Sequence, residues 1–206
     1  MVPEISPRPD LRRGALRRDA GLSIEFNLPN LITLARLISV PVAIWLILDE
    51  RYGAAFWLFV AAGLSDAVDG FIAKRFDRQT RLGALLDPAA DKMLLAGVYV
   101  SLGWAGQLPL WLVVLVVLRD TLIVLGFLAM QKAAAPKPLG PLYVSKVNTL
   151  VQIALVGFVL ARLGLDVEAG AATWLLIVAA GATTVLSGLS YLARWARSLS
   201  GSERGL

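Results

Sequence analysis

The sequence predicts an all-α fold: a bundle of six transmembrane helices behind a basic N-terminal juxtamembrane segment. Three observations predict it. The 206 residues are 57% hydrophobic with a mean hydropathy of +0.70, more than a soluble core of this size needs. Six apolar runs each approach the roughly 20 residues that cross a bilayer. The basic residues between those runs fall almost entirely on one side.

Taken in order, residues 1–27 hold Arg8, Arg12, Arg13, Arg17 and Arg18 among Glu4, Asp10, Asp19 and Glu25. They lack the apolar stretch of a signal peptide, and their acids set them apart from a mitochondrial presequence. Such a segment is expected at an anionic cytoplasmic surface, as an interfacial helix. The spans are expected at about 29–48, 54–73, 83–102, 109–130, 145–164 and 171–192. These divide the chain into a segment 1–27, a six-helix domain 28–198 and a cytoplasmic tail 199–206.

Arg36, Lys92 and Arg119 lie within spans. Of the remaining cations, one side takes the five N-terminal arginines, Lys74, Arg75, Arg78 and Arg81 after span two, Lys132, Lys137 and Lys146 before span five, and Arg194, Arg197 and Arg204 at the end. The other side has only Arg51 and Arg162, beside Asp49, Glu50, Asp166 and Glu168. The positive-inside rule then puts both termini in the cytoplasm, as in the inner membrane of a bacterium. The net charge of +5 follows this sorting, and no nucleic-acid-binding module accompanies it.

The chain has no cysteine and no histidine. Disulfides, zinc clusters, haem ligation and histidine acid–base chemistry are therefore excluded, and a metal ion would have to sit on oxygen ligands. A carboxylate or a lysine is left as general base.

Spans two and three carry the anomaly. Asp66, Asp69, Asp87 and Asp91 fall inside stretches needed to cross the bilayer, because the apolar run from Ala54 stops at Leu64. Asp66 and Asp69 are separated by i,i+3, about 60° around a helix, and Asp87 and Asp91 by i,i+4, about 40°, so each pair shares a face. At 1.5 Å rise per residue the pairs lie roughly 8–10 Å inside the cytoplasmic helix ends. Two carboxylates 4 Å apart repel by about 4 kcal/mol at an effective dielectric near 20. Four ionised acids thus require protonation or cations, and two divalent ions balance four charges; the candidates are Mg²⁺, Mn²⁺ or Ca²⁺. Gly70 and Gly83 remove side chains where backbone approaches a neighbour or a ligand, and Pro88 is tolerated near the start of span three.

Acids capping helices or pairing with Lys74, Arg75, Lys92 and Arg119 are the structural alternative, but embedded acids default to function. A cation transporter is the alternative of a different class. The acids cluster near one face instead of forming a relay across the membrane, which favours a site over a path.

The pattern resembles the CDP-alcohol phosphatidyltransferases, whose motif D-x2-D-G-x2-A-R-x8-G-x3-D-x3-D is matched by Asp66, Asp69, Gly70, Ala73, Gly83, Asp87 and Asp91. One position departs: Lys74, followed by Arg75, stands where the family usually has arginine. The resemblance implies a phospholipid-synthesising transferase that joins a CDP-activated lipid to an alcohol and releases CMP. It implies two bound Mg²⁺ or Mn²⁺ ions on Asp66, Asp69, Asp87 and Asp91, with Asp91 also the proton acceptor. CDP-diacylglycerol is expected at the backbone of Pro29, Asn30, Leu31 and Ile32 and at Gly70, Lys74, Thr80 and Gly83. Arg36, Arg119 and Lys146 are candidates for the acceptor, although Arg119 with Asp120 also fits a structural ion pair and Lys146 a snorkelling lysine. A homodimer embedded among membrane lipids is likewise implied.

Within the family, Pro141–Thr149 and Leu118-Arg119-Asp120 resemble cardiolipin synthases of the mitochondrial type, also found in bacteria, whose acceptor is phosphatidylglycerol. Phosphatidylglycerophosphate synthases, whose acceptor is glycerol 3-phosphate, more often show G-K-x-K-T and Arg-Glu there. A lipid acceptor needs a lateral opening between helices; a soluble one needs only the cytoplasmic mouth.

Overall fold

Apolar segments joined by short connections fold here as six helices: α1 (Leu28–Leu48), α2 (Tyr52–Phe76), α3 (Arg81–Trp104), α4 (Leu110–Lys132), α5 (Tyr143–Gly164) and α6 (Ala172–Ser202). The structure is a computed structural model that describes the backbone of residues 28–76, 81–132, 143–168 and 170–202, and side chains over 35–65, 92–126, 143–168 and 170–195. No strand occurs among the described residues. The expected segment 1–27 lies outside them, as do residues 203–206 of the expected tail 199–206, whose first four residues continue α6. Helix bounds fall within a few residues of the expected spans except at the end of α6. That helix runs ten residues past Leu192, because Ala, Leu and Arg there are good helix formers and extend it beyond the purely apolar run.

Tyr143–Gly164 and Ala172–Trp195 are long and apolar enough to cross a bilayer. The apolar portions Ala35–Leu48, Tyr52–Ser65 and Lys92–Trp104 are shorter, and their helices continue beyond them. Pro41 lies inside α1 and removes a backbone donor, a loss that packed membrane helices accommodate.

The connections at one end are tight because each has a residue in the left-handed region. Glu50 (φ 57°) lets the Arg51 amide return to the Leu46 carbonyl at 2.8 Å, closing α1. Gly106 (φ 71°) does the same for α3, with the Gln107 amide donating to the Leu102 carbonyl at 2.8 Å. Arg162 near the end of α5 donates to Gln107 Oε1 at 3.3 Å, which ties α5 to the α3–α4 connection. Five exposed tryptophans gather at this end: Trp45 on α1, Trp57 on α2, Trp104 on α3, Trp111 on α4 and Trp174 on α6. Exposed indoles at a common level are the pattern of an aromatic belt at a membrane–water boundary.

The core forms where α1 packs on α3, α5 on α6, α2 on α5 and α4 on α6. It is built from Ala43, Ile47, Val98, Leu102, Leu112, Val116, Leu155, Val156, Val159 and Leu160, all almost fully buried. Small residues set the closest approaches. A Cβ on Gly164 would fall 2.3 Å from the Gly53 nitrogen, so α5 and α2 touch backbone to backbone at the tryptophan end. A polar seam joins α5 to its neighbours. Thr183 and Thr184 donate to Asn148 Oδ1 at 2.9 Å, Gln152 donates to Thr184 at 3.2 Å, and Tyr99 of α3 donates to the Gln152 carbonyl at 3.3 Å.

Candidate functional site

Helical backbone runs unbroken through Asp66 and Asp69 on α2 and through Asp87 and Asp91 on α3. The i,i+3 and i,i+4 spacings of the motif are therefore spacings along real helices. The side chains of Asp66, Asp69, Gly70, Lys74, Gly83, Asp87 and Asp91 lie outside the described residues, as do those of Pro29, Asn30, Leu31 and Ile32, and Thr80 altogether. A set of four carboxylates in a chain without histidine or cysteine has the chemistry of a hard divalent-cation site. No other cluster of acids that could hold a metal occurs among the described residues.

Beside that motif the helices enclose a cavity of about 330 Å³. Its polar wall is Arg36 of α1, Lys92 of α3, Arg119 and Asp120 of α4, and Ser145 and Thr149 of α5; its apolar wall includes Phe59, Ala62 and Gly63 of α2 and Ile153 of α5. Lys92 lies twelve residues before Trp104, roughly 18 Å from the tryptophan end at 1.5 Å per residue. The cavity therefore lies about midway along the bundle, and Lys92 follows Asp91 directly.

Arg36 and Arg119 are only 4% and 5% exposed. Charges buried this deeply need partners, and the surroundings of Arg119 supply them. Its Nη1 donates to Asp120 Oδ1, Nη2 donates to Ser145 Oγ and Ser187 Oγ, and Nε donates to Ser187 Oγ at 3.1 Å. Asp120 neutralises the guanidinium at contact distance. Arg36, Lys92 and Arg119 place three cationic side chains in the described wall beside the carboxylate of Asp120, a setting suited to an anionic group such as phosphate.

The α2 and α5 sides of the cavity diverge. The helices are in backbone contact at Gly53 and Gly164, and Phe59 reaches Gly157 at 3.9 Å from an added Cβ. Further along, a Cβ on Gly63 would meet nothing within 4 Å among the described residues. Gly63, Thr149 and Ile153 line the cavity and are exposed, the first on α2 and the other two on α5. The cavity accordingly opens sideways between α2 and α5.

Of the three acceptor candidates, Arg36 and Arg119 meet across this cavity, whereas Lys146 is exposed and is not among the described lining residues. Sequence reasoning passed over Lys92 and Ser145 as wall residues. An embedded lysine next to a motif acid was the available signal for Lys92; Ser145 had none, because its place depends on how α5 meets α4.

The model of the CDP-alcohol phosphatidyltransferase family matches residues 26–186. The chain belongs to that family. Among curated relatives it is 35% identical to the cardiolipin synthase (CMP-forming) of Rattus norvegicus, over 71% of this chain and 54% of the relative. It is 32% identical to the cardiolipin synthase (CMP-forming) of Streptomyces coelicolor, over 66% of this chain and 64% of that protein. A probable phosphatidylglycerophosphate synthase of Mycobacterium tuberculosis is 31% identical over 88% of both chains. The chain spans about half the length of the rat relative and under two thirds of the Streptomyces one.

Proposed function

We propose that this chain is a six-span membrane enzyme that transfers the phosphatidyl group of CDP-diacylglycerol to phosphatidylglycerol, forming cardiolipin and releasing CMP. The observation that carries the choice of acceptor is the cationic cavity beside the aspartate motif, open sideways between α2 and α5. A lipid acceptor whose chains stay in the bilayer can put its headgroup into such a cavity, and its phosphodiester suits the cationic wall of Arg36, Lys92 and Arg119. The similarity to CMP-forming cardiolipin synthases supports the same reading. Belt tryptophans at one end and the charge sorting along the chain support a bundle crossing the membrane with its acidic motif on the cytoplasmic side.

Asp66, Asp69, Asp87 and Asp91 would hold two divalent cations, Mg²⁺ or Mn²⁺, whose charge polarises the donor diphosphate. Asp91 takes the proton of the acceptor hydroxyl, whose oxygen bonds to the lipid-bearing phosphorus as the bond from that phosphorus to CMP breaks. Backbone at Asn30 and the residues Gly70, Lys74, Thr80 and Gly83 hold the CDP-lipid in this account, and Arg36 with Arg119 the acceptor. The protein is expected to work as a homodimer in a bacterial inner membrane.

Phosphatidylglycerophosphate synthesis is the second reading, favoured by the Mycobacterium tuberculosis relative that matches over nearly the whole of both chains. The test offers purified protein CDP-diacylglycerol with phosphatidylglycerol, glycerol 3-phosphate, inositol phosphate or serine and follows CMP release. Turnover with phosphatidylglycerol is expected; turnover with glycerol 3-phosphate alone selects the second reading.

A further inference from the structure

We propose that Ser187, on a helix that supplies none of the described cavity wall, is the positioning residue that aims the Arg119 guanidinium at the acceptor's phosphate. The inference rests on the functional reading above and adds a residue to it.

Ser187 is fully buried, and its Oγ accepts from both Nε and Nη2 of Arg119. Two donors from one edge of a rigid, planar guanidinium onto a single oxygen fix the plane of the group as well as its place. Ser145 takes the second Nη2 hydrogen from the α5 side, and Asp120 takes one Nη1 hydrogen from the same helix. Among the described residues four of the five N–H donors are therefore held, and the one left is on Nη1. Arg119 lines the cavity, so that remaining donor is the one available to a ligand there.

The packing of α6 on α4 gives the serine this reach. The two helices run parallel, with Gly181 against Trp111, Gly188 against the Arg119 stem and Gly126 against Trp195. Gly188 would place a Cβ 3.8 Å from Arg119 Cγ, close enough that the stem lies along α6. Ser145 and Asp120 engage Nη2 and Nη1, so among the described residues the Nε hydrogen is held by Ser187 alone.

The experiment compares steady-state kinetics of full-length Ser187→Ala and Ser187→Cys with the unsubstituted protein, varying CDP-diacylglycerol and phosphatidylglycerol separately. Cysteine keeps the shape of serine with a somewhat larger atom and is a weak acceptor, so it leaves no void while weakening the hydrogen bond and serves as the reporter where alanine disturbs folding. The expected result is a rise of about tenfold or more in the acceptor KM in both variants, the size of one lost charge-assisted bond, with the donor KM within about twofold of the unsubstituted value. An unchanged acceptor KM in Ser187→Cys, or equal rises in both KM values, overturns the positioning role. Absence of CMP release by the unsubstituted protein with every alcohol would instead overturn the functional reading beneath it.

Discussion

Lys92 lines the cationic cavity and Asp91 precedes it in α3, so the proposed proton acceptor is attached to a residue already in the cavity wall. With no histidine in the chain, a carboxylate is the natural group to take a hydroxyl proton near neutral pH. Asp91→Asn keeps the size of the side chain and removes its basicity. Turnover is expected to fall about 100-fold or more, the range of a lost general base, while equilibrium binding of CDP-diacylglycerol stays close to that of the unsubstituted protein. Near-normal CMP release would reject Asp91 as the base. The aspartates were legible because their chemistry is local: one turn of helix separates the members of each pair, and embedded acids are conspicuous. The partners of Arg119 were not. Ser145 and Ser187 are ordinary helix residues until α4, α5 and α6 bring them to one guanidinium.

For the helices, apolar length was enough to locate all six, since a run of about 20 apolar residues leaves little choice of structure. It did not foresee the end of α6, where propensity carries the helix on after apolarity ends. Nor could it foresee how α2 and α5 diverge from their contact at Gly53 and Gly164, because that angle depends on two glycines 111 positions apart meeting in space. The open flank at Gly63 follows from this divergence, and it yields a prediction. Gly63→Leu introduces a side chain into space that nothing described occupies, so thermal stability should hold while the KM for phosphatidylglycerol rises several-fold. Kinetics with a short-chain, water-soluble phosphatidylglycerol should change less. Equal effects on both acceptors would argue against entry between α2 and α5.

Across the whole molecule, three independent features describe one orientation. Basic residues flank one face of the predicted bundle, exposed tryptophans mark the other, and the acidic motif falls toward the basic face, beside a cavity about midway along the helices. A transporter would need a path between the two faces, whereas the cavity here is lined by cations next to a carboxylate motif and joins a family of transferases. The central claim is therefore metal-dependent phosphatidyl transfer to a lipid alcohol. Its most direct measurement uses purified protein in vesicles of CDP-diacylglycerol and phosphatidylglycerol, with CMP released and cardiolipin formed quantified together, in Mg²⁺ or Mn²⁺ and then in excess chelator. The account predicts equal amounts of both products with the cation and neither without it. Undiminished turnover in chelator, or CMP release that requires glycerol 3-phosphate and yields no cardiolipin, would contradict it.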